Sequence, residues 1–264
     1  MSVETVGMWM DLTSLEFDDD RTAHVAWPRQ FADVAPAVTG LGLRGERPVL
    51  VVVGGAGGLD EGGKEGLSVL FRQALVPVAV AGQVVVVDGG TDSGVMQLIG
   101  RARAAAETAA EAAAGASCFP LVGVAAENTV MLPGDGAEPG DRAPLEANHS
   151  HFVLVPGSSW GDESPWIARV ATEIAGNAPS ATILINGGEI AFQDVARSLE
   201  AGRPVLVVAG TGRTADKIAA AVNGDRTDEQ AARLADSRLV SVVSWAEDPA
   251  VVRAALEELI RPGT

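Results

Sequence analysis

Glycine follows a run of apolar, mostly β-branched residues at four places in this chain. The runs end at Val53, Val87, Ile185 and Val208, and each is followed within three residues by at least one glycine. Glycine lets the backbone turn sharply and leaves its N–H groups uncovered. The first turn of a following helix adds further N–H groups, which suits phosphate. We therefore expect the four turns to surround one phosphate-bearing ligand.

The residues expected at this ligand lie in the four turns or directly beside them. They are Gly54, Gly55, Ala56, Gly57, Gly89, Gly90, Thr91, Ser93, Gly94, Gly187, Gly188, Glu189, Gly210, Thr211 and Gly212. The first two turns are expected to hold phosphate, whereas Gly187, Gly188 and Glu189 are expected to meet a sugar.

Two charged residues extend this predicted site. Arg213 stands at the predicted start of a helix, where the helix dipole favours acids, so an anionic ligand explains an arginine there. Asp194 lies about one and a half turns into the helix after Gly188. It belongs either to a solvated helix face or to a site that contacts a sugar hydroxyl or a scissile bond.

Two histidines share one face of a predicted strand, because His149 and His151 are two residues apart. A metal site would need a third ligand, and the spacing of Glu146 and Asp135 is unspecific, so we predict none. We expect one histidine to hydrogen-bond a loop carbonyl and the other, His149, to line the cleft. A near-neutral pKa leaves an acid–base role open.

The common phosphate motifs give little support. Gly62-Gly63-Lys64-Glu65 lacks the residues of a P-loop, and the G-x-G-x-x-A match at 210–215 has no strand with a terminal acid after it. Trp160 and Trp166 either stack on a base or pack in the core.

The composition excludes several classes of protein. The 264 residues include 35 acids against 19 Lys and Arg, a net charge of −16, which argues against nucleic-acid binding through the whole surface. Cys118 is the only cysteine, so no disulfide framework is possible. The sequence shows neither a signal peptide nor an apolar run near the ~20 residues of a membrane span. We expect a cytoplasmic protein without a membrane partner; a homo-oligomer is compatible with these features.

Strand and helix patterns alternate from residue 48 onward. The predicted strands are 49–53, 84–87, 121–124, 152–155, 182–185, 205–208 and 239–243, and the predicted helices are 64–80, 94–114, 165–176, 190–201, 213–222 and 248–260. This alternation predicts an α/β fold: a Rossmann-like, doubly wound, mostly parallel sheet with helices on both faces. Ligands of such sheets lie beyond the carboxyl ends of the strands, where all four turns fall.

The whole chain, 1–264, is predicted to form a single domain. Residues 1–46 are expected to be an N-terminal extension that packs on the core, mostly irregular, with a short strand over 23–27 and a short helix over 29–38. Residues 126–150 lack periodicity and are too long for an ordinary connection, so we expect a functional loop or flap there.

Four segments in order, 52–56, 88–96, 145–155 and 210–216, resemble a known family. They are similar to the cytoplasmic N-terminal homology region of melastatin-type transient receptor potential channels. That region and its prokaryotic stand-alone relatives share a superfamily with the DNA-processing Smf proteins and the Lonely-Guy phosphoribohydrolases. The resemblance covers most of 48–222. It implies a Rossmann-like sheet that binds a nucleotide-derived ligand such as ADP-ribose, NAD or AMP, in a sensor or effector of nucleotide signalling.

The resemblance also implies residue roles. Val95 and Met96 belong to the matching pattern, and Arg169 matches a position where an arginine contacts the ligand. A second arginine of the channel pattern should fall in 129–133, and none stands there, so the same ADP-ribose pose is not expected.

The Lonely-Guy enzymes carry the motif P-G-G-x-G-T-x-x-E, and the equivalent stretch here is 186–194. Its glycine pair remains, but Ile190-Ala191 replaces Gly-Thr, and the acid is the shorter Asp194. This favours binding over hydrolysis. The alternative is a phosphoribohydrolase acting on a nucleoside monophosphate or NAD, with Asp194 or Glu189 as the catalytic carboxylate. No cofactor is predicted apart from the nucleotide-type ligand.

Overall fold

A nine-stranded sheet forms the centre of the protein. The computed structural model describes residues 12–17, 21–55, 57–58, 60–112, 118–136 and 141–261. The strands of the central sheet are β1 (Leu12–Phe17), β2 (Arg21–Ala26), β3 (Val49–Gly54), β4 (Val85–Asp88), β5 (Leu121–Ala126), β8 (His151–Val155), β9 (Ser180–Ile185), β10 (Val205–Ala209) and β11 (Val240–Ser244). A separate short parallel pair consists of β6 (Val130–Met131) and β7 (Ala143–Pro144).

The strands lie in the order β1-β2-β8-β5-β4-β3-β9-β10-β11. Each neighbouring pair is parallel except the antiparallel pair β1–β2. Central strands read as continuous apolar runs because both of their faces are buried. In β3, for example, Val49 and Val51 pack into one core layer, and Leu50 and Val52 pack into the other. The predicted Rossmann-like, mostly parallel sheet is confirmed, and the seven predicted strands are found with their ends shifted by one or two residues.

Helices cover both faces of this sheet. They are α1 (Val34–Gly40), α2 (Glu61–Leu70), α3 (Val76–Ala81), α4 (Gly94–Ala112), α5 (Ser164–Ala175), α6 (Ile190–Glu200), α7 (Arg213–Val222), α8 (Glu229–Ala235) and α9 (Pro249–Leu259). Helices α1, α5, α6, α7 and α8 pack on one face, and α2, α3, α4 and α9 pack on the other.

Two helical features differ from the prediction. The helix predicted over 64–80 is interrupted by a π-helical segment, Phe71–Leu75, just before Pro77. Proline cannot donate the backbone hydrogen bond of a regular α-helix, so the local bonding pattern shifts. Helix α8 was not predicted. It begins at an N-terminal cap, where the Asp228 carboxylate accepts hydrogen bonds from the N–H groups of Gln230 and Ala231.

The N-terminal segment contributes strands to the sheet itself. The expected strand over 23–27 corresponds to β2, and its hairpin partner β1 was not predicted. Strand β2 pairs in parallel with β8, so this hairpin extends the sheet at one edge. The helix expected over 29–38 begins as a short 3-10 turn, Phe31–Asp33, and continues as α1.

A crevice opens at the carboxyl ends of β3 and β9. The chain runs outward from β3 through β4, β5 and β8, and then returns to place β9 on the other side of β3. The helices that follow β3 and β9 pack on opposite faces of the sheet, so the two exit loops diverge. No helix in the described part of the chain is long and apolar enough to cross a membrane.

Candidate functional site

A cavity of about 480 Å³ occupies this crevice. Nine of the predicted site residues line it: Gly54, Gly89, Thr91, Ser93, Met96, Gly188, Glu189, Asp194 and Arg213. These residues come from four strand ends and the helices behind them. The tertiary structure thus brings together parts of the chain that are more than 150 residues apart in sequence.

The first wall of the cavity is the turn after β3. Gly54 has a φ of +148°, and a Cβ atom built on it would lie 1.9 Å from the Ile185 carbonyl oxygen. Only glycine therefore allows β3 and β9 to approach this closely at their ends. The N–H of Gly55 donates to the same carbonyl at 3.2 Å, so that group is already satisfied. Ala56, also predicted at the ligand, lies outside the described residues.

Arg213 places a cation between two glycine turns. A Cβ built on Gly57 would lie 2.8 Å from its Nη1 atom, and one built on Gly188 would lie 3.2 Å from its Nη2 atom. Among the described residues, the Arg213 side chain makes no hydrogen bond or ion pair. Its φ is +53°, a left-handed conformation that costs a residue with a side chain of order 1–3 kcal/mol. The fold thus holds a guanidinium at the cavity on strained backbone and without an ion-pair partner in the described part of the chain.

The turns after β9 and β10 are tied to each other beneath Arg213. The Asn186 N–H donates to the Thr211 hydroxyl at 2.8 Å, and its side-chain amide donates to the Thr211 carbonyl at 2.7 Å. The Thr214 hydroxyl donates to the Gly188 carbonyl at 2.8 Å. Thr211 itself is fully buried, and the Gly210 N–H already donates to Asp216. These two predicted residues therefore shape the turn from behind the cavity.

The turn after β4 is held by a buried charge cluster. The protonated ring of His149 donates from Nε2 to Asp88 and from Nδ1 to Glu146, at 2.8 Å in each case. Burial opposes the charged imidazolium, but the two carboxylates outweigh it and raise the pKa of His149 to about 9. Asp88 also accepts from the N–H of Gly90 at 2.7 Å. His149 thus clamps the turn from behind.

The structure therefore corrects the expected placement of His149. His149 binds carboxylates behind the turn and does not line the main cavity. His151 hydrogen-bonds the Ser150 hydroxyl at 2.8 Å and also the backbone of Leu41, in the turn directly after α1, which agrees with the loop carbonyl expected for one of the two histidines. Burial and the nearby charges of His24 and Arg103 lower the pKa of His151 to about 4, so this ring is neutral at physiological pH.

The segment 126–150, expected to be a functional loop, supplies this clamp and part of the wall. The Asp92 N–H donates to the Pro144 carbonyl at 2.8 Å, and the Glu146 N–H donates to the Gly90 carbonyl at 2.9 Å. Thr129 and Ala143 line the cavity. The loop therefore fixes the position of the β4 turn from outside the sheet.

Two carboxyl groups line the cavity wall formed by α5 and α6. The Asp194 carboxyl is buried although the residue as a whole is half-buried, and its Oδ1 atom has no hydrogen-bond partner among the described residues. Burial raises the pKa of Asp194 to about 7; the charge of Glu163 adds to this, and the Ser164 hydroxyl opposes it. Burial also raises the pKa of Glu163.

The family is shown by comparison with known proteins. The family described as "SLOG in TRPM, prokaryote" matches residues 47–254, most of the chain. The chain belongs to this family. The SLOG chain is also 28% identical over 205 residues to transient receptor potential cation channel subfamily M member 2 from mouse and from rat. Each match covers 65% of this chain but only 13% of the channel.

Several predicted residues of the SLOG chain lie away from the cavity wall. Arg169 is exposed on α5 and faces Glu173 at 3.5 Å. Val95 is buried in the core, and Gly94 starts α4 with a φ of +56°. A Cβ on Gly90 would lie 2.8 Å from the Cα atom of Gly123, so this glycine serves close packing of β5 against the turn.

Gly187 and Glu189 border a smaller cavity of about 160 Å³, which shares Gly188 and Arg213 with the main one. Gly212 caps the N-terminus of α7 with a φ of +96°. Gly187 and Gly212 therefore contribute to the site through the backbone conformation that positions Arg213.

Sequence reasoning missed several residues of the cavity wall. Glu163, Ile167 and Ile190 were not predicted, and Trp160 was left between two alternatives. Trp166, its counterpart, is buried in the core and stacks on Phe31 at 4.3 Å. The only local signal for Glu163 is its place directly before the helix start at Ser164-Pro165. No group of three or more His, Cys, Asp or Glu in the described ranges could hold a metal ion.

Proposed function

We propose that this SLOG chain binds a nucleotide-derived ligand of the ADP-ribose, NAD or AMP class, as a cytoplasmic sensor or effector in nucleotide signalling. Membership of the SLOG family and the place of the cavity at the topological switch point both support the proposal. ADP-ribose and NAD enter through the resemblance to the channel region.

The observation that carries the proposal is the guanidinium of Arg213. A protein with a net charge of −16 gains little from an unpaired cation on strained backbone unless an anion occupies the space beside it. Arginine is suited to phosphate because its planar donors match the oxygens of the anion. We assign the phosphate of the ligand to the space between Arg213, the β3 turn and Gly188.

We assign the other parts of the ligand to the rest of the cavity wall. Thr91 and Ser93, whose hydroxyls lie 3.1 Å apart, stand beside the phosphate position at the β4 turn. Apolar residues such as Trp160 and Ile167 offer a surface for a base. Asp194 stands where a sugar would lie between the two.

Isothermal titration with AMP, ADP-ribose and NAD tests this proposal. We expect at least one of them to bind, and a thermal unfolding scan to show about 2.7 kcal/mol of stabilisation at 100 times Kd. Arg213→Gln should weaken this binding by roughly tenfold or more, because it removes a charge-assisted contact. Arg197→Gln is the matched control, since Arg197 is exposed on α6 and pairs with the exposed Glu200. If none of the three nucleotides binds the wild-type protein, the proposal is wrong.

A second candidate function rests on the two carboxyl groups. A carboxyl with a pKa of about 7 beside another acid is the arrangement that general acid–base catalysis uses, and SLOG proteins include nucleotide-processing enzymes by the resemblance given above. The reaction would be hydrolysis of an N-glycosidic bond, in which water adds to the sugar carbon and the base leaves with a proton.

Release of free base from AMP, CMP and NAD would establish this activity if Asp194→Asn abolished it. Base release no faster than in a sample without protein would rule it out and leave binding as the function.

A further inference from the structure

Glu163 and Asp194 reach the cavity from two different helices. Glu163 is the residue directly before α5, and Asp194 lies in the second turn of α6. The two helices pack against each other on the same face of the sheet. The charge of Glu163 contributes to the raised pKa of Asp194, so the two carboxyl groups interact electrostatically.

The two carboxyl groups are only partly satisfied by the protein. Glu163 accepts hydrogen bonds from the Gly161 N–H at 3.0 and 3.1 Å. No side-chain cation among the described residues pairs with either acid; Arg213, which lines the same cavity, makes no ion pair in the described part of the chain. Buried acids that no cation pairs with are costly, so a ligand group that hydrogen-bonds them would recover part of that cost.

The protonation of the pair decides which ligand groups suit it. At neutral pH the pair holds a proton for part of the time, so it both donates and accepts hydrogen bonds. An exocyclic amino group of a base only donates, so it offers no acceptor to the O–H of the protonated carboxyl. Hydroxyl groups donate and accept, and two neighbouring hydroxyls can meet two carboxyl groups together.

We propose that Glu163 and Asp194 form a specificity site for the free cis-diol of a ribose, so that the protein selects ribonucleotide ligands with unmodified 2′ and 3′ hydroxyls. This inference rests on the proposed function, because it concerns the sugar of the nucleotide whose phosphate meets Arg213. A 2′-phosphate would bring negative charge against two acids and is rejected. A 2′-deoxyribose leaves one carboxyl without its partner and binds weakly.

Binding measurements with matched analogues test the proposal. The parent ligands are AMP and ADP-ribose, and each is compared with its 2′-deoxy, 3′-deoxy and 2′-phosphorylated forms by isothermal titration at pH 7. For the wild-type protein we expect each deoxy form to bind about tenfold more weakly than its parent and the 2′-phosphorylated form more weakly still. In Asp194→Asn and Glu163→Gln the difference between parent and deoxy form should shrink to about threefold or less.

Three comparisons make the outcomes distinguishable. Glu200→Gln, an exposed acid on α6, should keep the wild-type discrimination. If a parent binds but its deoxy and 2′-phosphorylated forms bind equally well, the diol site is wrong and the proposed function stands. If neither parent binds and NAD does not bind either, the proposed function fails and the diol site fails with it. Glu163→Gln decides the question on its own if Asp194→Asn does not fold.

Discussion

The two sides of the cleft treat their charged groups in opposite ways. Behind the β4 turn, the imidazolium of His149 lies 2.8 Å from each of two carboxylates, so charge is compensated inside the protein. Across the cavity, the cation of Arg213 and the acids Glu163 and Asp194 form no ion pair with one another or with other described residues. Both sets of residues are polar, and some members of each set were predicted from the sequence as site residues.

This difference in charge compensation distinguishes residues that stabilise the fold from residues suited to bind a ligand. A buried charge that has its counter-charge in the fold stabilises a backbone conformation, and its charge is already neutralised without a ligand. A charge without a counter-charge is costly in the empty cleft and becomes favourable when a complementary group arrives. By this criterion His149 is a positioning residue of the β4 turn, and Arg213, Glu163 and Asp194 are the residues that we propose for contact with the ligand.

Removing the cation of the compensated cluster Asp88–His149–Glu146 should have the largest effect on stability. In His149→Gln the carboxylates of Asp88 and Glu146 stay buried without a cation, and we expect a loss of about 3–5 kcal/mol in the free energy of unfolding. Urea denaturation at pH 7 measures it. His24→Gln, a substitution at an exposed histidine, should change stability little.

The same cluster predicts a pH dependence. Because folding raises the pKa of His149 from 6.5 to about 9, its contribution to stability is fully present below pH 6.5 and is lost as the pH rises through 9. The wild-type protein should therefore lose stability between these pH values, and His149→Gln should lose less. Equal slopes in the two proteins would contradict a charged His149.

Removing a charge from the uncompensated side should raise the free energy of unfolding, whereas removing His149 lowers it. Folding raises the pKa of Asp194 from 3.8 to about 7, so the stability it contributes is present below pH 3.8 and is lost as the pH rises through 7. Asp194→Asn should thus be more stable than the wild type at pH 8, by at most about 4 kcal/mol, and lose this advantage near pH 4. A destabilised Asp194→Asn at pH 8 would mean that the acid has a counter-charge in the fold.

The apolar wall of the cleft should matter for affinity more than for stability. Trp160 lines the cavity and is half-buried, so Trp160→Ala should weaken binding of AMP or ADP-ribose by about 1–3 kcal/mol if a base stacks on it. Isothermal titration gives the value. Affinity for ribose 5-phosphate, which has no base, is the internal control and should stay unchanged.

The smallest expected effect comes from the β3 turn. A methyl group at Gly57 would contact the far end of the Arg213 side chain, which can move, so Gly57→Ala should leave the melting temperature unchanged. Displacing the guanidinium should still weaken phosphate-ligand affinity several-fold, or about 1 kcal/mol. Gly136→Ala, where a Cβ meets nothing within 4 Å, should change neither quantity.

Much of the fold follows from local patterns in the sequence. Apolar runs such as 205–208 read as buried parallel strands because both faces of the sheet are covered, and glycine at their ends marks the carboxyl edge. The hairpin strand β1 and the short helix α8 were missed. A six-residue edge strand is mostly exposed and has little apolar pattern, and a seven-residue helix has too few turns for a clear periodicity.

The candidate site was predictable only in part. Glycines such as Gly54 and the anomalous Arg213 are visible because their residue type conflicts with what the local structure alone would select. Glu163 and the role of His149 were not visible, because each depends on a partner far away in sequence. Glu163 meets Asp194 across two helices, and His149 meets Asp88 from 61 residues away.

The four glycine turns, the strands that precede them and the arginine after the last turn were determined by the sequence itself, since backbone freedom, burial and the helix dipole act locally. Which residues of these turns line the cavity was decided only by the tertiary structure. Folding places Asp88, Glu146 and His149 together and so compensates their charges, while it leaves Arg213 and the acids Glu163 and Asp194 around one cavity without an ion pair to any described residue. Whether a charge is compensated depends on the distance between groups in space, which the order of residues in the sequence does not give.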